Sequence, residues 1–103
     1  MQQRDYIERL IQQIAAFIAR IVGAAKAGDP QQAEEGLDAA WKALGLRRVD
    51  AQRLDEATLR MLLGAKSALA ADLLEAQATV EESRGDAAAA DDLRNRARSL
   101  RGR

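Results

Sequence analysis

The apolar residues of the first quarter of the chain recur at helical spacing. Tyr6, Ile7, Leu10, Ile11, Ile14, Phe17, Ile18, Ile21 and Val22 stand three or four apart, which predicts one amphipathic helix over 3–27. On a wheel of 100° per residue they cover an arc of roughly 160–180°, where a one-sided surface helix needs only about 100°. The middle of that arc, Ile7, Ile11, Ile14 and Ile18, is expected to face the domain's own core. Tyr6, Leu10, Phe17 and Ile21 form a flank that either helices of the same domain cover or a second copy of the chain meets; the second is the expectation taken here, with Trp41 either packed between helices or a further rim residue.

Gly28-Asp29-Pro30 ends this helix and starts the next. Gly28 suits a left-handed C-terminal position, Asp29 an N-cap, and Pro30 a first turn where no amide donor is needed. A second helix over 30–44 buries Ala33, Leu37, Ala40, Trp41 and Leu44. Residues 46–63 form a connector that contains a short helix from Glu56 to Leu63, with Asp55 as its cap and Leu59, Met61, Leu62 and Leu63 turned inward. Asp50 is a candidate cap for a turn before it. Gly64 is a potential break. The last two helices, over 66–83 and 87–100, are separated by Gly85-Asp86.

Composition fits this reading. The chain has 23 alanines, one proline and few β-branched residues, a bias toward helix. At 103 residues it has room for one domain, 1–103. Formal charge is zero, with 16 basic and 16 acidic residues, so no global field draws it to nucleic acid or membrane. Cysteine and histidine are both absent. That removes thiolate chemistry, imidazole metal sites and any histidine base. Charged residues interrupt every apolar run, so no segment reads as a leader or a membrane span, and a cytoplasmic setting is expected.

The two punctuation points align. Gly28-Asp29 is followed by Ala33 and Ala40, and Gly85-Asp86 by Ala90 and Ala97, at the same offsets. Small residues there let paired helices approach closely. The pattern is similar to the tetratricopeptide hairpin, and the opening Asp5-Tyr6-Ile7-Glu8-Arg9-Leu10-Ile11 resembles a family of short bacterial helical proteins of unknown function. The resemblance implies two antiparallel helical hairpins and a bacterial source, and no activity. The chain departs from the tetratricopeptide pattern in its 57-residue spacing, against about 34, and in bulky Ile21, where a small residue is expected.

Candidate chemistry is sparse. Glu34, Glu35 and Asp38 cluster on one helix, but without a motif for metal or phosphate they read as a solvated acidic face. Arg94, Arg98 and Arg101 belong to a C-terminal run of five arginines that ends at Arg103. They compensate a helix dipole or, alternatively, bind nucleic acid. The sequence thus predicts an all-α protein of about five helices, with two hairpins packed around the long N-terminal helix. Its expected role is a non-enzymatic interaction module that forms a homodimer and carries no cofactor.

Overall fold

The computed structural model describes residues 2–102, with side chains from Arg4 onward. It is all-helical: α1 (Gln2–Lys26), α2 (Pro30–Ala43), α3 (Arg48–Arg53), α4 (Glu56–Leu63), α5 (Ser67–Ser83) and α6 (Ala87–Leu100). Five of these have eight residues or more, and α3 is a six-residue turn between them. α1 is about 37 Å long at 1.5 Å per residue, which sets the long axis of a 42 × 25 × 21 Å body. Among the described residues no helix is long and apolar enough to cross a membrane.

Two hairpins organise the chain, α1 with α2 and α5 with α6. Their turns share one construction. Gly28 (φ 74°) donates to the Ala25 carbonyl at 3.2 Å, and Asp29 to Ala24 at 2.9 Å. Gly85 (φ 85°) donates to Glu82 and Asp86 to Glu81, both at 2.9 Å. This paired closure satisfies the last carbonyls of one helix. The same aspartates then open the next helix. Asp29 Oδ1 accepts from the Gln32 amide at 3.2 Å and Asp86 Oδ1 from Ala89 at 3.0 Å. Asp29→Ala removes one such cap, so a loss of about 1 kcal/mol is expected. Thermal unfolding should report it as a midpoint several degrees lower, and Asp86→Ala should match it.

The central element is α5 rather than α1. Most of α5 is buried, from Leu69 through Val80, and it packs against α6, α1 and α2. Its alanines (Ala70, Ala71, Ala76 and Ala78) let three neighbours approach at once. α1 contributes one buried stripe: Leu10, Ile14, Ile21, Ala24 and Ala25.

That stripe corrects the expected orientation of α1. Leu10 and Ile21, placed by sequence on a partner-facing flank, are buried in the core. Ile11, placed inward, is 47% exposed. The helix is turned so that the flank faces α2 and α5. Alanine and glycine cover little area themselves, but they bring the backbone of their helix close. Gly36 of α2 sits directly against Ile21, so the covering surface is backbone rather than side chain.

The connector departs from expectation in two places. Asp50 is not a cap: α3 opens at Arg47 without a side-chain cap, and Asp50 accepts from Arg47 Nε at 3.0 Å inside the helix. Asp55 does cap α4, accepting from the Thr58 amide at 2.7 Å. On α4 only Leu59 and Leu63, one turn apart, are buried, while Met61, on the opposite face, and Leu62, at the edge of the buried side, are exposed. Gly64 (φ 55°) breaks the chain into one 3₁₀ turn, Gly64–Lys66. From that turn Lys66 Nζ reaches the Leu44 carbonyl at 3.0 Å and closes the end of α2.

Candidate interaction face

Turning the Leu10 side of α1 inward turns another side outward. Ile11 and Ala15 are exposed, and Ile7, Ile18 and Val22 are half-buried beside them. The inner edges of Ile18 and Val22 pack on the core. Next to this strip runs an open groove of about 520 Å³ between α1 and α5. One wall is Ile11, Ile14, Ala15, Ile18 and Val22, and the other is Leu69, Asp72, Glu75, Ala76 and Thr79, with Arg94 at the rim.

The charges along that rim are already engaged. Arg101 pairs with Asp72 at 2.5 Å and with Glu75. Arg94 holds Glu82 through two hydrogen bonds, 2.9 and 2.7 Å. Those bonds keep the Glu82 carboxyl below its ordinary range and raise the Arg94 guanidinium. Glu75, then Asp72, likewise raise Arg101. The groove thus has an apolar α1 wall and a mixed α5 wall whose carboxylates are paired with arginine. It offers no unpaired charge cluster for a small ion.

The residues singled out by sequence fall into separate places. Tyr6 is 48% exposed near the start of α1. Phe17 is half-buried against the core. Leu10, Ile21 and Trp41 are interior, which removes them from any contact surface of this fold. Trp41 is 1% exposed, and its indole N–H has no hydrogen-bond partner among the described residues. It fills volume at the end of α2 and does not rim a groove. Ile11, Ile18 and Val22 take over the outward role. The arc's width is consistent with two sides of α1 being apolar, and Gly36 lies against the buried one at Ile21.

The arginine run is dispersed in the same way. Arg94 and Arg101 are tied to carboxylates of α5. Arg96 donates to the Ala51 carbonyl at 3.0 Å and to that of Leu54, fastening α6 to the end of α3. Arg98 is exposed and makes no ion pair among the described residues; Arg103 lies outside them. The acidic cluster of α2 is likewise occupied. Glu34 and Asp38 hold Arg48 at 2.6 and 3.3 Å, and Glu34 also meets Arg84 at 3.1 Å. Arg48 is 14% exposed, so this cluster anchors α3 onto α2. Nothing in the local sequence pattern marks Arg48 as its partner.

A second apolar area lies on α4, where Met61 and Leu62 are exposed. It is short, and neither residue lines the neighbouring groove formed by Arg60, Gly64, Ala65, Ser67, Ala68 and Leu100. The chain matches no protein-family model, no curated protein and no solved structure.

Proposed function

We propose that the protein is a non-enzymatic helical interaction module that self-associates as a homodimer through the outward strip of α1. The observation that carries this reading is the exposure of Ile11 in the middle of a long helix, flanked by half-buried Ile7, Ile18 and Val22 and continuous with the α1–α5 groove. Soluble monomers rarely leave contiguous apolar surface of this kind uncovered. A symmetric dimer covers it most simply, because one patch meets itself. The likeness to tetratricopeptide hairpins points the same way, since repeats of that type present surfaces to other proteins. The nucleic-acid alternative loses its support where Arg94 and Arg101 are neutralised by carboxylates of the same chain.

Both Ile11 and Ala15 are exposed, so charges at these positions leave the core alone. Ile11→Glu with Ala15→Glu should keep helical content and a cooperative unfolding transition. Sedimentation velocity at high micromolar concentration should then show the 11.2 kDa monomer, where the parent protein sediments as a species of twice that mass. A parent protein that is already monomeric at that concentration would overturn the reading.

A further inference from the structure

The strip on α1 has an internal symmetry. Ile11, Ala15, Ile18 and Val22 are spaced four, three and four residues apart, so the pattern reads the same from either end. Two copies laid antiparallel about the midpoint of the strip place Ile11 against Val22 and Ala15 against Ile18, twice over. A second feature is independent of the first. Glu8 and Lys26 are eighteen residues apart, five full turns, and therefore stand at the same angle around the helix. Both are exposed. They lie on the side of the strip away from the buried stripe, one beyond each end of it.

We infer that the occupant of the α1 strip is a second copy of α1 running antiparallel, with Glu8 of each copy facing Lys26 of the other. This rests on the self-association reading above and adds the orientation. An antiparallel pair sets the two opposite charges together at both ends. A parallel pair, related by a two-fold along the helix direction, would carry the two Glu8 side chains to opposite edges of the seam and the two Lys26 likewise, so neither charge would meet an opposite one. Glu8 meets Arg4 within its own helix at 3.5 Å, but that pair is largely exposed, is worth little and leaves Glu8 free to exchange partners. The strip is only about 16 Å long, so the contact lies toward the low end of size for specific interfaces.

The natural chain has no cysteine, so single cysteines report contacts cleanly. In the antiparallel pair, two copies of residue 15 are offset by about 4.5 Å along the axis and two copies of residue 4 by about 37 Å. Ala15→Cys should form a disulfide-linked dimer on mild oxidation and Arg4→Cys should not, because a disulfide needs Cα atoms within roughly 7 Å. Glu8→Lys or Lys26→Glu alone should weaken the dimer about threefold to tenfold in sedimentation equilibrium, the scale of two exposed pairs. The double reversal should restore it. If both cysteine variants cross-link equally and neither charge reversal changes affinity, the dimer is parallel. Self-association then stands and the orientation is overturned. A chain that stays monomeric throughout removes both.

Discussion

Leu10→Glu is expected to abolish the folded state, whereas Ile11→Glu, one residue along the same helix, is expected to leave it intact. Leu10 is 3% exposed and belongs to the central cluster. Losing its packing costs about 2–5 kcal/mol. A carboxylate buried there without a partner adds a desolvation cost of several kcal/mol. Together they rival the about 5–15 kcal/mol that holds a typical domain folded. Ile11 projects into solvent beside Ala15, so the same charge meets water. Far-ultraviolet circular dichroism and urea titration of the two single variants measure the contrast directly. Loss of helix in Leu10→Glu alone would fix the rotation of α1. Equal tolerance of both charges would show that the helix does not bury the Leu10 side.

That contrast also marks what the sequence could tell. The period of the α1 pattern is legible, and so is its unusual width, because both depend only on residues along one helix. The rotation depends on what packs against the helix. Bulk alone favoured the isoleucine-rich middle of the arc, and of that middle Ile14 is buried as expected, yet the stripe also takes in Leu10 and Ile21 from the flank, where Gly36 of α2 lies against Ile21. The Gly-Asp turns were legible for the opposite reason. Left-handed glycine and aspartate caps are local chemistry, and both hairpins carry them as written. The ties that assemble the hairpins were not. Arg48 to Glu34, Lys66 to Leu44 and Arg96 to Ala51 join residues 14, 22 and 45 positions apart, and no periodicity encodes them. They also account for the dispersed arginine run, since long guanidinium side chains here reach helix-end carbonyls and carboxylates on other elements. A basic stretch read along the chain therefore looks more available to a partner than it is in the fold.

The second large effect concerns the departure of the first hairpin from its tetratricopeptide-like pattern. Ile21 occupies the position where a small residue is expected, and Gly36 faces it from α2. A Cβ at Gly36 would lie 2.8 Å from Ile21 Cγ1, and Ile21 is wholly buried. In the second hairpin the positions 57 residues on are Ala78 and Leu93, so large and small have changed helices. Gly36→Leu should overpack the first hairpin by about 1–3 kcal/mol, partly offset by about 1 kcal/mol of helix propensity gained over glycine. Ile21→Ala alone should cost more, about 2–5 kcal/mol, through the cavity it leaves. Combining them reproduces the arrangement of the second hairpin. The double variant should be more stable than Ile21→Ala, and a double-mutant cycle should show favourable coupling of about 1 kcal/mol or more. At roughly 4–8 °C of melting temperature per kcal/mol for a chain of this size, thermal unfolding resolves that coupling. Strictly additive effects would mean that residues 21 and 36 do not share one space, and that Gly36 is not what lets α2 close over the buried side of α1.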